Sequence, residues 1–234
     1  MSIATFDISI IIPVLNEANT IATTIRHLKE NCLTEQLIEI LVVDGGSTDA
    51  TNQIAEDQGA RVVSSPRGRA AQMNYGAMLA KGSILYFLHA DTIPPKHFDK
   101  SITQAIHRGY QAGCFQMKFD SNSRFLSFFA WFSRINSRLC RGGDQSLFIS
   151  KKLFDSLNGF NEDYRIYEDN EFIGRLYDHT TKFKILPQQV KTSARRYEEC
   201  GTLKLQYHYG IIHLKSRFGN GPEQLYRYYR KHIG

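Results

Sequence analysis

The chain is poor in cysteine and proline, and it has no long apolar run. Its 234 residues include four cysteines that are far apart and show no CxxC spacing. We therefore expect free thiols in a reducing compartment, because a disulfide framework or a zinc site needs paired spacings. No apolar stretch approaches the roughly 20 residues of a membrane-spanning helix, and residues 1–7 lack the basic stretch of a secretory signal. These absences favour a cytoplasmic protein.

Two glycine-rich nucleotide-binding motifs are missing as well. Neither GxGxxG nor GxxxxGKS/T occurs, which removes the main support for a dinucleotide-binding Rossmann domain and for a P-loop. The chain does contain 42% hydrophobic and 12% aromatic residues, enough for a sizeable core, and this excludes the disordered and collagen-like classes. Its length predicts a single domain over residues 1–234.

The net charge is +6, from 29 Lys and Arg against 23 Asp and Glu. This excess predicts an anionic partner, which could be nucleic acid, a phosphorylated small molecule or an anionic membrane face. Charge alone does not choose among them. We do not expect nucleic acid, because the aromatic residues are not interleaved with basic ones on one clear strand platform.

Strand-like and helix-like segments alternate along the first half of the chain. Two helix-like segments follow the candidate cap residues Asn19 and Ser47, and a third covers Ala70–Lys81. Such alternation predicts an α/β fold with an open, mostly parallel twisted sheet and helices on both faces. The predicted strands are Ile8–Val14, Ile38–Val43, Arg61–Ser64 and Ile84–Leu88.

The second half of the chain is less regular. Three further strands are predicted, at Cys114–Phe119, Leu147–Ser150 and Phe183–Leu186. Helical spacing there produces two apolar stripes. The first is Phe125, Phe128, Phe129, Phe132, Ile135 and Leu139, beside a basic stripe of Arg134, Arg138 and Arg141. The second, in a C-terminal helix, is Leu203, Tyr207, Ile211, Leu214 and Phe218.

Carboxylates, glycines and arginines follow each of the first four strands. In an open parallel sheet, ligands bind at the carboxyl ends of the strands, where such loops converge. Four successive strand ends of this kind are hard to explain by folding alone, so they predict a binding site at this edge. The four segments are Pro13-Val14-Leu15-Asn16-Glu17, Asp44-Gly45-Gly46-Ser47-Thr48-Asp49, Pro66-Arg67-Gly68-Arg69 and His89-Ala90-Asp91.

Each of these loops has a structural and a functional interpretation. Asp44 either organises a turn and helix cap or binds the edge of a nucleobase. Arg67 and Arg69 are either solvated or bind a diphosphate. Asp91 follows an apolar run, where its carboxylate needs a partner such as a divalent cation. His89 is either packed in the core or in contact with a ligand or phosphate.

Taken together, these motifs resemble family 2 glycosyltransferases of the GT-A fold, over roughly residues 7–190. The segments that carry the resemblance are IIIPVLNE at 10–17, LVVDGGSTD at 41–49, RGRAAQMN at 67–74 and FLHAD at 87–91. A small, soluble bacterial subgroup with His-Ala-Asp at the metal motif is the most similar. The resemblance implies a Rossmann-like nucleotide-sugar-binding half at about 7–92, an acceptor and catalytic half at about 93–200, and a helical tail at about 201–234.

The resemblance also implies roles for individual residues. His89-Ala90-Asp91 takes the place of the family's Asp-x-Asp motif, so Asp91 is the expected ligand of Mg²⁺ or Mn²⁺. His89 replaces the first Asp, and an imidazole ligand would favour Mn²⁺. Asp44 would hydrogen-bond the base, usually uracil. The residues implied to bind the nucleotide sugar are Pro13, Asn16, Glu17, Asp44, Gly45, Ser47, Arg67, Asn74, His89, Asp144 and Arg195.

The family's catalytic base lies in a Glu-Asp pair after a Gly-Phe segment. Here Gly159-Phe160 is followed by Glu168-Asp169, and an inverting transfer needs one carboxylate to take the proton from the acceptor hydroxyl. Asp169 is our first choice for this base and Glu168 our second. The structural alternative is an acid-rich first helical turn, favoured by the helix dipole, and both can hold together. Arg195 either closes over the diphosphate or lies on an edge strand.

The sequence thus predicts an inverting, hexosyltransferase-like enzyme that transfers a sugar from a nucleotide-diphosphate sugar to a hydroxyl. The alternatives are a sugar-phosphate nucleotidyltransferase and a non-catalytic binder of nucleotides or anions. The stripes within residues 123–141 are either a core-facing helix with a solvated flank, or a helix that contacts a lipid-linked acceptor or the inner face of an anionic membrane.

Overall fold

The computed structural model describes residues 7–142, 145–180 and 182–233. Within these ranges eight strands form one sheet, in the order β3-β2-β1-β4-β7-β6-β8-β5. The strands are β1 Ile8–Val14, β2 Ile38–Asp44, β3 Arg61–Ser64, β4 Ile84–Phe87, β5 Thr92–Ile93, β6 Ala112–Phe119, β7 Leu147–Ser150 and β8 Phe183–Thr192. The helices are α1 Ile21–Asn31, α2 Thr51–Asp57, α3 Arg69–Leu79, α4 Phe98–His107, α5 Arg124–Trp131, α6 Lys151–Ser156, α7 Glu168–His179, α8 Arg195–Cys200, α9 Thr202–Arg217 and α10 Pro222–His232.

The first four of these strands pair in parallel, as predicted. β1 lies between β2 and β4, and β3 extends the sheet beyond β2. The order of connection therefore reverses between β1 and β4, and a crevice forms where strand order reverses in this way. Beyond β4 the sheet is mixed, because β7 runs antiparallel to β4 and β6 while β8 is parallel to β6. The prediction of a mostly parallel sheet therefore holds for the strands of the first half of the chain, and the strands of the second half form a mixed sheet.

Both faces of the sheet are covered by helices, which confirms that prediction. Side chains alternate across β1, so Ile10 packs with α1 and α4 on one face while Ile11 packs with α3 on the other. Gly76 lets α3 approach closely, because a Cβ there would come within 2.5 Å of the Ile11 side chain. The loops that follow β1, β2 and β4 are thereby held over rigid strands.

A third, smaller apolar cluster holds the C-terminal helices to the end of β6. Its members lie in β6, α5 and α9 and at the start of α8. They are Phe119, Leu126, Ala130, Ala194, Tyr197 and Leu205. None of the helices in the described ranges combines the length and the apolar character that a membrane span requires.

Residues 123–141 do not form the single helix that the aromatic and basic stripes require. α5 ends at Trp131, and two short 3₁₀ turns follow, at Phe132–Arg134 and Arg138–Cys140. The buried guanidinium of Arg141 explains the break, because it donates to the backbone oxygens of Ser133 and Ile135. Arg141 is therefore an internal anchor of this turn, and the prediction of a basic stripe that includes it was wrong.

Several predicted element boundaries also move. The N-cap residue of α1 is Thr20 rather than Asn19, and the N-cap residue of α2 is Ala50 rather than Ser47. Ser47 is not a helix cap because its backbone and hydroxyl are both used in the loop after β2. The predicted helix Ala70–Lys81 is Arg69–Leu79. Arg195 lies at the start of helix α8, so the edge-strand alternative for it was wrong.

Candidate active site

The loops after β1 and β2 are joined by hydrogen bonds into one wall. Asn16 adopts a left-handed conformation with φ of 56°, which asparagine tolerates better than most residues. Its backbone N–H donates to Ser47 Oγ at 2.9 Å, and its Oδ1 accepts from the Thr48 N–H at 2.8 Å. The Glu17 N–H donates to Thr51 Oγ1 at 2.8 Å. This network fixes both predicted nucleotide-contacting loops relative to each other.

Asp44 organises the second of these loops. Its buried carboxylate accepts hydrogen bonds from the Gly46 N–H at 3.2 Å, the Ser47 N–H at 2.9 Å and Asn52 Nδ2 at 3.0 Å. Burial alone would raise the pKa of Asp44, but these hydrogen bonds outweigh it and leave the pKa lowered. The turn-organising interpretation is therefore confirmed, and contact with a nucleobase stays a prediction.

Gln72 is a structural residue of this wall that sequence reasoning missed. It is buried in α3, and its Nε2 donates to the backbone oxygens of Val14 at 2.8 Å and Val43 at 2.7 Å. A Cβ at Gly45 would come within 3.0 Å of the Gln72 amide, so any other residue there would press against this buried side chain. The available signal was a lone amide on the otherwise apolar face of an Ala/Met-rich helix.

Arg69 joins three elements at the centre of the crevice. It is the first residue of α3, and its Nη2 lies 2.6 Å from His89 Nε2, just beyond β4. The same nitrogen donates to Asp169 Oδ2 at 2.7 Å. Arg69 Nε lies 3.1 Å from Glu168 Oε1, an ion pair without the alignment of a hydrogen bond. The sequence paired Arg69 with Arg67 as a diphosphate-binding candidate, but its contact with the carboxylate pair was missed.

The electrostatics of this group follow from burial. Burial is the largest cause of the raised pKa of Glu168; the charge of Asp169 adds to the effect and Arg69 opposes it. Burial, and then the adjacent Arg69, hold the pKa of His89 well below its ordinary value of 6.5. His89 is therefore neutral at pH 7, and its unprotonated Nε2 can accept a hydrogen bond from Arg69.

Asp169 is the more accessible member of the carboxylate pair. Both acids lie in the first turn of α7, where the helix dipole favours them, so the structural interpretation of an acidic first turn is confirmed. Glu168 is 2% exposed, whereas Asp169 lines a cavity of about 20 Å³ together with His89 and Phe160. A cavity of this size holds about one water molecule. Asp169 therefore borders a space that a small group can enter, whereas Glu168 is buried and does not line it.

Asp91 and Arg195 complete the other side of the crevice. Burial raises the pKa of Asp91, while the charges of Arg195 and then Arg69 lower it. Arg195, at the start of α8, also places its Nη2 3.7 Å from Glu17 Oε1 in the loop after β1. Residues from both halves of the chain thus surround one crevice at the carboxyl ends of β1 and β4.

The amino-acid sequence of this chain matches a known family. The model of the family described as glycosyl transferase family 2 matches residues 9–157, which is more than half of the chain. The chain belongs to glycosyl transferase family 2. The matched range includes the loops after β1, β2 and β4, but it ends before Glu168 and Asp169.

Individual relatives of this family 2 member are similar over limited lengths. Glycosyltransferase AglJ of Haloferax volcanii is 46% identical over 56 residues, which are 24% of this chain and 17% of that protein. An undecaprenyl-phosphate 4-deoxy-4-formamido-L-arabinose transferase of Pseudomonas fluorescens is 33% identical over 111 residues, or 42% of this chain and 32% of that protein. The chain thus spans less than a third of the length of either.

A solved structure extends the similarity to nearly the whole chain. Glucosyl-3-phosphoglycerate synthase of Mycobacterium tuberculosis, solved in complex with Mn²⁺, UDP and glucosyl-3-phosphoglycerate, superposes with a TM-score of 0.67 and 22% identity. The match covers 92% of this chain and 81% of that one. At this identity the match shows the fold, and this family 2 member has the GT-A fold that its sequence predicted.

The residues around Asp91 fit a divalent cation only if the cation is shared with a ligand. No three His, Cys, Asp or Glu side chains in the described part of this family 2 member are placed to hold a metal ion by themselves. Asp91 offers one carboxylate, and Mg²⁺ is commonly bound by one or two carboxylates plus substrate phosphates. Nε2 of His89 is already in contact with Arg69. Asp91 is therefore the better candidate ligand of the two.

The remaining predicted residues have different surroundings. Asn74 uses its side-chain amide to hold the loop after α6, accepting from the Phe160 N–H at 2.8 Å and donating to Glu162 at 2.8 Å. Arg67 is exposed and makes no hydrogen bond or ion pair within the described ranges, and Pro13 is half-buried in β1. Asp144 lies outside the described residues. Nucleotide binding by these four residues stays a prediction.

Proposed function

We propose that this chain is an inverting glycosyltransferase that moves a sugar from a nucleoside diphosphate sugar to an acceptor hydroxyl. The observation that carries the proposal is the contact of Arg69 with both His89 and Asp169. This contact joins the strand end predicted to bind the donor to the carboxylate predicted to act as base. Family membership favours this function over a nucleotidyltransferase or a non-catalytic binder.

We infer a UDP-linked donor and a divalent cation from the structural neighbour. The mycobacterial synthase was solved with UDP and Mn²⁺, and the buried carboxylate of Asp44 lies in the loop that the family uses for uracil. Asp91 would hold the cation. Such a cation, when bound, neutralises the charge that develops on the leaving diphosphate.

The proposed reaction is a single displacement in which Asp169 is the base. As the acceptor hydroxyl oxygen bonds to the anomeric carbon, its proton passes to a carboxylate oxygen of Asp169. The bond from that carbon to the diphosphate oxygen breaks, and the electron pair leaves with the nucleoside diphosphate. Asp169 is the one carboxylate among the described residues that line the cavity, and a single displacement needs no second one.

Arg69 would keep the base in position and ionised. The Arg69 guanidinium fixes one oxygen of Asp169 at 2.7 Å and leaves the other oxygen for the substrate. It also supplies a positive charge next to two adjacent acids, which otherwise disfavour each other's ionisation. Arg195, close to Glu17 in the donor wall, would contact the diphosphate.

The base is tested by Asp169→Asn, with Asp178→Asn as the matched control. Asp178 is on the same helix, and its side chain is 74% exposed, so the same chemical change falls outside the crevice. We expect Asp169→Asn to bind UDP-sugar with unchanged affinity and to lose transfer to an added acceptor by about 10²-fold or more. Calorimetric donor titration and product analysis measure the two effects. Transfer by Asp169→Asn at the wild-type rate excludes this base.

The donor and the cation are tested together by nucleotide release. A panel of nucleotide sugars is assayed with Mg²⁺, with Mn²⁺ and after chelation, in the wild type and in Asp91→Ala. We expect release to require a divalent cation and Asp91→Ala to lose most of that stimulation, because the carboxylate is the protein's own ligand. Equal activity with and without chelator contradicts the cation assignment and leaves the base assignment standing.

We infer that the acceptor hydroxyl is lipid-linked rather than part of a soluble molecule. Phe128, Trp131 and Leu139 expose more than half of their surface near Arg134 and Arg138, and the similar Pseudomonas protein is named for an undecaprenyl-phosphate substrate. These observations support a lipid-linked acceptor at this segment. Because Trp131 is the only tryptophan in the chain, a blue shift of its emission on adding a polyprenyl phosphate tests that contact directly. Unchanged emission at saturating lipid excludes it.

A further inference from the structure

Helix α9 presents large apolar side chains to solvent. Its buried residues are Leu205 and Ile212, which face the rest of the protein. On the opposite side, four large side chains are 54% to 79% exposed, namely Leu203, Tyr207, Leu214 and Phe218. Their spacing of four, seven and four residues puts them on one face of the helix. Four of the five residues of the second stripe predicted from sequence therefore face outwards, and the fifth, Ile211, is half-buried.

This exposed stripe is large for a surface with no binding role. Sixteen residues make α9 about 24 Å long, and the stripe runs over most of that length. Scattered apolar residues are normal on a protein surface, but a continuous apolar patch with polar edges marks an interaction site. The small cluster around Leu205 and Tyr197 holds the helix in place from the other side. The stripe is therefore free to contact a partner.

The charge of the surrounding segment identifies the kind of partner. Residues 201–234 contain six Lys and Arg against a single acid, Glu223, so this seventh of the chain carries five of its six net positive charges. Lys204 and Arg217 are both exposed and stand next to Leu203 and Phe218, at the two ends of the stripe. Basic side chains that border an apolar stripe are typical of helices that lie in a membrane interface.

A second copy of this chain fits the surface less well. Pairing two α9 stripes around a two-fold axis would bring two segments of net charge +5 together, and like charges across an interface oppose association. An anionic bilayer offers an apolar interior for the stripe and negative headgroups for Lys204 and Arg217. We propose that the outward face of α9 docks in the plane of an anionic lipid bilayer. The proposal does not depend on the glycosyltransferase chemistry.

The test is co-sedimentation of the full chain with vesicles of phosphatidylcholine, with and without phosphatidylglycerol. We expect binding at low salt to the anionic vesicles, and binding at least tenfold weaker to phosphatidylcholine alone. The double variant Leu214→Ser/Phe218→Ser removes apolar side chains of the α9 stripe. Its control is Met78→Ser, because the side chain of Met78 on α3 is 65% exposed and lies outside the stripe. We expect the double variant to bind about tenfold or more weakly and the control to bind like the wild type.

The contribution of the basic residues beside the stripe is tested by removing the same number of positive charges at two places on the protein. Lys204→Gln/Arg217→Gln removes two charges beside the stripe, and Lys96→Gln/Lys100→Gln removes two from the exposed start of α4. We expect the first pair to weaken binding roughly tenfold or more, since each basic residue near the surface contributes about fivefold, and the second pair to have a clearly smaller effect. If both pairs of substitutions weakened vesicle binding equally, binding would depend only on the net charge of the protein, and the proposal would be overturned.

Two further outcomes overturn it. One is the absence of sedimentation with anionic vesicles at low salt by a protein whose circular dichroism shows it to be folded. The other is a stable dimer in light scattering that Leu214→Ser/Phe218→Ser converts to monomer, because a second copy would then cover the stripe. Nucleotide release with a soluble acceptor, measured on the same variants, separates a loss of docking from a loss of activity.

Discussion

Arg69 shows how one backbone position decides the role of a side chain. Gly68 has φ of 143°, a conformation open to glycine, and it separates Arg67 from Arg69. Both side chains are exposed, but Arg67 has no hydrogen bond within the described ranges, whereas Arg69 reaches into the crevice. Arg69 then meets a neutral imidazole, His89, and two acids of α7. Two arginines that are equivalent in sequence therefore occupy different environments, and we expect different kinetic effects from each.

We expect Arg69→Met to lower kcat by about 10²-fold, because it removes the group that positions Asp169 and offsets its charge. The pKa of Glu168 is already raised by burial and by Asp169, and Arg69 is what lowers it. Losing Arg69 raises the pKa of Glu168 further, and because Glu168 and Asp169 are adjacent, the acid pair then holds a proton up to a higher pH. The acidic limb of the kcat–pH profile therefore moves to higher pH. A profile measured under saturating donor and acceptor tests this shift. A limb that stays in place contradicts the assigned electrostatics.

Arg67→Met is the contrasting variant. Its side chain is exposed and makes no hydrogen bond or ion pair with the carboxylate pair, and the family resemblance assigns it to the diphosphate. We expect a higher KM for the donor with kcat changed by no more than about twofold, since uniform binding of substrate and transition state is lost. Equal kcat losses in the two arginine variants would show that the guanidinium groups act together.

At the scale of elements, the two faces of α9 have opposite energetic roles. Leu205 is 1% exposed and belongs to the cluster that holds α5, α8 and α9, whereas Leu214 on the other face is 54% exposed. The same substitution at these two positions therefore separates burial from helix propensity, because both residues lie inside the same helix.

We expect Leu205→Ala to lower the free energy of unfolding by about 2–4 kcal/mol. Leu214→Ala should change it by no more than about 0.5 kcal/mol, as at most surface positions. Urea denaturation followed by circular dichroism gives both values. A similar loss for the two variants would mean that the outward stripe is covered in the free protein, which the described structure does not show.

At the scale of the whole molecule, the C-terminal helices contact the turn that carries the catalytic pair. Tyr167 has φ of 69° and precedes Glu168 directly, and its hydroxyl lies 2.8 Å from His213 Nδ1 in α9. Arg165, two residues earlier, stacks over the ring of Tyr226 in α10 at 5.0 Å. The family model ends at residue 157, so this support of the site comes from the part of the chain outside the match.

We expect Tyr167→Phe to lower kcat about tenfold while leaving the KM for the donor unchanged, because a loosened turn misplaces Asp169 without touching the donor wall. Tyr226→Phe is the matched control, since its ring contact with Arg165 needs no hydroxyl. His213→Leu should resemble Tyr167→Phe, and His213→Asn should restore activity by offering polar atoms near the position of Nδ1. Steady-state kinetics measure all four variants. A purely structural role would change stability in step with kcat and would give no rescue by asparagine.

The sequence by itself determined the fold class, the family and the edge of the sheet that carries the site. Buried strands are continuous apolar runs, and the loops after them converge at one edge, so Asp44 and Asp91 could be found from local pattern. Asp169 was found through the family resemblance. The acidic first turn of α7 was predictable in the same way, because the helix dipole acts locally. These features depend on neighbours within a few residues, which a sequence displays directly.

Only the tertiary structure decided which side chains meet across long distances in the chain. The contact of Arg69 with Asp169 joins residues 100 positions apart, and Gln72 reaches carbonyls 58 and 29 positions away. Nor could periodicity say which way a stripe faces. The stripe on α9 faces outwards because Leu205 and Ile212, on the other side of the helix, are the residues that pack against the protein. The stripe at 123–141 breaks where the Arg141 guanidinium donates to backbone oxygens. The choice of face and partner rests on packing and on the satisfaction of buried polar groups, and both are properties of the assembled molecule.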